Sequence, residues 1–190
     1  MLVLGISASL RNKRFSYKNE LINDLKKIKN LEDLNFFVKN QIKITFSDIE
    51  KLNNKKLSFE EKYTELKKYK GNRGLSNSET ALVYGLWNAL QEKNIKIDYL
   101  SLSNIFENED DKKLDYFKKK FLSCDALLLS GPVYFGDRGS LTQRMIEFLN
   151  SDKECMQHAK KILYAGLAVG AKRNGGQETT LIFQALDFLN

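Results

Sequence analysis

Four stretches of the chain are dominated by apolar residues: "LVLGIS" (2–7), "KIDYLSL" (96–102), "DALLLSGPVY" (125–134) and "ILYAGLAV" (162–169). The first, third and fourth are nearly unbroken apolar runs, the pattern expected of parallel strands covered on both faces. Between the strands the apolar positions recur at helical spacing. In "NSETALVYGLWNALQEKN" (77–94), Leu82, Leu86 and Leu90 fall on one face with Val83 and Trp87 beside them. Ser76 and Glu79 form a capping box at its start. "SLTQRMIEFLN" (140–150) gathers Leu141, Met145, Phe148 and Leu149 in the same way, and "ETTLIFQALDFLN" (178–190) opens a further helix. Strands alternating with helices predict βαβ crossovers, hence an α/β fold built on a doubly wound parallel sheet.

One segment breaks this rhythm. Residues 13–75 hold fourteen Lys and two Arg against nine Asp or Glu, so the chain's entire net charge of +7 lies there. Leu21, Ile22, Leu25 and Ile28 recur at helical spacing, and Ser58 with Glu61 makes a second capping box ahead of Tyr63 and Leu66. "NQIKITF" (40–46) alternates in period two, which leaves an amphipathic edge strand open as a reading. We read 13–75 as a mostly helical insertion after the first strand of a single domain spanning 1–190. Its lysines are mixed with acids along helix faces, as on solvated helices, so nucleic acid is not the expected partner. Its aromatics, including Phe36, Phe37, Tyr63 and Tyr69, are placed to pack it onto the domain or a second subunit.

Composition removes other classes. With 42% hydrophobic and 29% charged residues the chain reads as an ordinary globular domain, and no apolar run approaches the ~20 residues of a bilayer span. The N-terminus lacks the positive-then-apolar order of a secretory signal, which points to the cytoplasm. Cys124 and Cys155 lie 31 residues apart with no CxxC or His/Cys cluster, so neither a disulfide framework nor a metal site is expected. His158, the single histidine, reads as a surface or helix-end residue rather than a base, and "ENEDDKK" as a solvated loop and helix start.

Three loops follow strand ends, where a doubly wound sheet collects its ligands. The first is "SASLRN", resuming past the insertion at "GLSNSE"; the second is "GPVYFGDRGS"; the third is "GAKRNGGQET". Each leads into a helix N-terminus, whose free N–H groups and dipole favour an anion. Ser9, Arg11, Asn77 and Ser78 combine small hydroxyls, a fixed cation and a helix start, and so suit a phosphate. Tyr134 and Phe135 suit a flat ring. The same residues also serve as ordinary turn, cap and packing residues, and the convergence of three such loops is what favours a site.

"GISASLR" with "SNSETAL", "SGPVYFGDRGSLTQRMIEFLN" and "VGAKRNGGQETTL" resemble the three flavin-contacting segments of the NADPH-dependent FMN reductase family, in the flavodoxin-like superfamily. The resemblance covers roughly 1–12 and 74–190. It implies a flavodoxin-like sheet of order 2-1-3-4 and FMN as cofactor. The FMN phosphate would lie on Ser9, Arg11, Asn77 and Ser78. Pro132, Val133, Tyr134, Phe135 and Gly136 would run along the isoalloxazine and ribityl chain, and Ala171, Asn174, Gly175 and Gly176 would meet the ring edge. NADPH or NADH would be the electron donor, and a quinone-like molecule, a flavin or a protein the acceptor, with no catalytic acid or base needed from the chain. A FMN-binding electron carrier, or a non-catalytic interaction module whose basic insertion binds a partner, are the alternatives. The family's usual fifth strand is absent from this sequence, which reads either as a shortened member or as the N-terminal part of a longer chain. An open sheet edge then favours a homo-oligomer.

Overall fold

The computed structural model describes residues 1–9, 20–53, 56–58, 61, 74–106, 110–134, 136–170 and 175–189, with backbone alone at 46–53 and 189. Its centre is the parallel sheet. Strand β1 (Leu2–Ser7) pairs with β2 (Lys96–Ser101) on one side and with β3 (Ala126–Tyr134) on the other. The two-residue β4 (Asp137–Arg138) turns back antiparallel on Val133 and Tyr134, and the sequence pattern did not reveal it. Strand β5 (Leu163–Val169), the fourth strand of the sequence reading, pairs in parallel with β3. The parallel order is therefore β2-β1-β3-β5, and with helices on both faces this is a flavodoxin-like fold.

Alternation along β1 divides the core. Leu4 and Ile6 face a cluster with Phe106, Phe117, Phe121, Leu141, Met145 and Leu149. These come from α4 (Leu102–Phe106), α5 (Asp111–Leu122) and α6 (Ser140–Ser151), and α7 (Lys153–Ala159) adds Cys155. Val3 faces the opposite cluster, built on α3 (Asn77–Gln91) through Leu82, Val83, Leu86 and Trp87. Helix α8 (Gln177–Leu189) packs along β5.

The second cluster also contains Leu21, Ile22 and Leu25 of α1 (Glu20–Lys27) and Leu34 and Val38 of α2 (Leu31–Asn53). These two helices lie within the 13–75 segment and share the domain's own core. The Trp87 indole N–H donates to the Ile28 carbonyl at 3.2 Å, and the Tyr84 hydroxyl to Asn35 Oδ1 at 2.6 Å, fastening both helices to α3. Residues 40–46, where period two left a strand open, belong to α2. The helix prevails because Leu34 and Val38, one turn apart, are both buried, and continuing the turn carries Ile42 inward and leaves Ile44 exposed. Ser58 and Glu61 make their reciprocal hydrogen bonds at 2.8 and 3.3 Å, while Tyr63, Leu66 and Tyr69 lie outside the described residues.

Strand β5 differs from the expectation of cover on both faces. None of its residues is fully buried, and Leu163 is 66% exposed. The reason is its position: among the described residues it pairs on one side only, with β3, and forms a sheet edge. Among the described residues, no helix is long and apolar enough to cross a membrane.

Candidate functional site

Beyond the carboxyl end of β1 the chain is steered by two short contacts. Ala8 N–H donates to the Ser130 carbonyl at 2.8 Å, and Ser9 N–H to Ser7 Oγ at 3.3 Å. Ser130, fully buried on β3, uses its hydroxyl as well, donating to the Ser78 carbonyl at 2.7 Å. One serine thus holds the first loop with its backbone and the first turn of α3 with its side chain. That turn has the capping box read from the sequence. Ser76 Oγ accepts from Glu79 N–H at 3.3 Å, and Glu79 Oε2 accepts from Ser76 N–H at 3.0 Å. The N–H groups of Asn77 and Ser78, at the first two helical positions, have no intrahelical acceptor and lie at the positive end of the helix dipole.

These pieces wall one cleft of about 180 Å³, lined by Ser9, Ser76, Asn77, Ser78, Pro132, Val133, Tyr134, Val169 and Gly170. One wall is serine hydroxyls and a helix start; the other is apolar, from β3 and the end of β5. Of the residues singled out in the sequence, Ser9, Asn77, Ser78, Pro132, Val133 and Tyr134 meet here. Ser76, Val169 and Gly170 complete the lining and were not singled out for it. Ser76 is the cap of α3, and a cap necessarily borders its helix's N-terminus. Arg11, Phe135, Ala171 and Asn174 lie outside the described residues.

Gly136 and Gly176 are not in the lining; they join the second loop to the third. A Cβ built on Gly176 would stand 2.3 Å from the Gly136 Cα, so the two backbones touch. Gly175 N–H donates to Gln177 Oε1 at 2.9 Å, within the turn that starts α8. Farther along, Arg138 of β4 pairs with Asp187 of α8 and lies over the Phe183 ring. Burial pushes the Asp187 carboxyl up, and Arg138 offsets this only in part.

The remaining chemistry-bearing residues stand apart from the cleft. Burial raises both thiols, Cys124 and Cys155, to about 12, which leaves them protonated near neutral pH. His158 closes α7, a ring nitrogen 2.9 Å from the Cys124 carbonyl oxygen and its ring edge-on to Phe121. Asp110 caps α5, accepting from Lys113 N–H at 2.9 Å. Among the described residues no group of three or more His, Cys, Asp or Glu gathers as a metal site. The cleft therefore offers binding: an anion at the helix start and a flat apolar body against β3.

The chain is 32% identical over 118 residues to an iron-sulfur flavoprotein of Methanocaldococcus jannaschii. That match takes in 54% of this chain, which spans only 60% of the relative's length. No protein-family model matches the chain, and no solved structure does.

Proposed function

We propose that this chain is a flavin mononucleotide-binding oxidoreductase domain, taking electrons from NADPH or NADH and passing them to a quinone-like molecule, a flavin or a protein. The observation that carries the proposal is the cleft that joins the first turn of α3 to the apolar end of β3. A phosphorylated planar ring needs those two surfaces side by side, and the flavoprotein character of the Methanocaldococcus jannaschii relative supports a flavin as the ring. FMN, when bound, supplies the hydride- and electron-accepting chemistry. The protein's part is binding and orientation. Asn77 and Ser78 N–H, with the Ser9 hydroxyl, would hold the phosphate, and Pro132, Val133 and Val169 would keep water from the ring. In the same proposal Tyr134 would flank the ring, while Arg11, Phe135, Ala171 and Asn174, outside the described residues, and Gly175 and Gly176, outside the lining, remain the further candidates of the resemblance.

Residues 1–190 do not suffice for the iron-sulfur cluster named in the relative. Such clusters take four thiolates, whereas these 190 residues hold two cysteines, both buried.

The visible spectrum of the purified protein tests the proposal. Flavin bands are expected, with the released cofactor identified as FMN and the bands bleached by NADPH or NADH under anaerobic conditions. Protein that stays colourless after incubation with FMN refutes the reading. Bound FMN that neither nicotinamide reduces makes the chain an electron carrier.

The proposal includes a second copy on the edge of β5 left unpaired among the described residues. Leu163 of β5 is 66% exposed, Ile182 of α8, which packs along β5, is 59% exposed, and Phe183 and Leu186 are exposed as well. An apolar strand edge with apolar flanks is adhesive. Light scattering is expected to give twice the 21.9 kDa chain mass, and I182K to return the monomer.

A further inference from the structure

The peptide unit joining Leu75 to Ser76 is held at both polar ends. Its carbonyl accepts from Thr45 Oγ1 at 2.9 Å, and its N–H donates to Glu79 Oε2 at 3.0 Å. Thr45 belongs to α2, far from the sheet's ligand-binding end in sequence but adjacent to it in space. Glu79 is fully buried and is itself fixed from behind, because its other oxygen accepts from the Tyr99 hydroxyl of β2 at 2.7 Å. The approach to this peptide is equally tight. Gly74, at φ +74°, passes so close to α2 that a Cβ on it would lie 2.0 Å from the Gln41 carbonyl oxygen.

The clamped peptide is the last one before the first turn of α3. Its setting fixes how the chain enters α3, and with it the placement of Ser76 and Asn77 at the edge of the cleft. Neither Thr45 nor Tyr99 lines the cleft, so their influence on a ligand passes through this peptide and through Ser76, whose hydroxyl also donates to Glu79 Oε2 at 3.0 Å. Donors already fixed in direction bind an anion without an ordering penalty.

We propose that Thr45 and Tyr99 are positioning residues that aim the first turn of α3 at the phosphate of flavin mononucleotide, and so set the preference of the cleft for FMN over riboflavin. The proposal rests on the flavin reading given above. It assigns the inserted helix α2 a role in cofactor selection.

Titrating FMN and riboflavin by flavin fluorescence tests it in four proteins: wild type, T45V, T45S and Y99F. Wild type is expected to bind FMN more tightly than riboflavin. T45V and Y99F are each expected to shrink that ratio about tenfold, the effect of one misdirected hydrogen-bonded turn, with riboflavin affinity unchanged. T45S, which keeps the hydroxyl, is expected to restore the wild-type ratio. An unchanged ratio in T45V and Y99F overturns the proposal, whether both ligands bind as before or both weaken alike, the latter being general destabilisation. Should T45V fail to fold, Y99F reads the same ratio. Wild-type protein that binds neither ligand overturns the flavin reading, and one that binds both equally overturns the phosphate assignment.

Discussion

Asn77→Asp is expected to weaken FMN binding about 30-fold while leaving the folded protein as stable as before or more so. Asn77 is exposed at the first helical position of α3 and lines the cleft. A carboxylate there improves the interaction with the helix dipole, by about 0.3–1 kcal/mol. In the proposed complex the same carboxylate would face a phosphate dianion a few ångströms away, partly screened by solvent, a repulsion on the order of 2 kcal/mol, or about 30-fold in affinity. Binding and stability therefore move in opposite directions, which loss of structure cannot imitate. Riboflavin affinity is expected to stay unchanged, and added salt to narrow the FMN difference. Thermal melts and fluorescence titrations at two ionic strengths make the measurement. If N77D binds FMN as wild type does, the phosphate does not lie at this helix start.

Gly176→Ala is expected to be the most disruptive of the loop substitutions. At φ +87° a Cβ is strained, and here it would also meet backbone: 2.3 Å to the Gly136 Cα and 2.9 Å to its carbonyl carbon. No rotamer change relieves that contact, so the second and third loops must part. Together the two effects should cost about 2–4 kcal/mol, lowering Tm by about 6–12 °C in a domain of this size. Gly136→Ala separates the two causes. Gly136 has φ +81° with nothing within 4 Å of its Cβ position, so G136A carries only the backbone strain, about 1 kcal/mol. Equal Tm losses in G136A and G176A would show that the two loops are not packed as described. Flavin retention should follow the same order, because parting these loops opens the apolar side of the cleft.

The strands were legible because a buried parallel strand writes itself as an unbroken apolar run, and "LVLGIS" and "DALLLSGPVY" match the observed β1 and β3 closely, whereas their order came from the family resemblance. The start of α3 was legible from Ser76 and Glu79 because a capping box is a contact between residues three apart, wholly encoded in local sequence. The cleft was legible only in outline. Ser9, Asn77, Ser78, Pro132, Val133 and Tyr134 meet because strand ends in a doubly wound sheet share one rim, a rule of topology applied to local patterns.

Where local signals competed, tertiary contacts prevailed. The alternation in 40–46 carries no information about Leu75 or Leu82, yet burial against the core of α3 holds that stretch in α2. The half-exposure of β5 follows from its place at the sheet edge, which its apolar sequence does not record. By itself, then, the sequence determined the strands and the caps, since each depends on residues a few positions apart, and topology added the rim where the cleft lies. Only the tertiary structure decided that Thr45 holds the Leu75–Ser76 peptide, that Tyr99 holds Glu79 behind it and that Gly136 meets Gly176, because these contacts join residues tens of positions apart and leave no period in the chain.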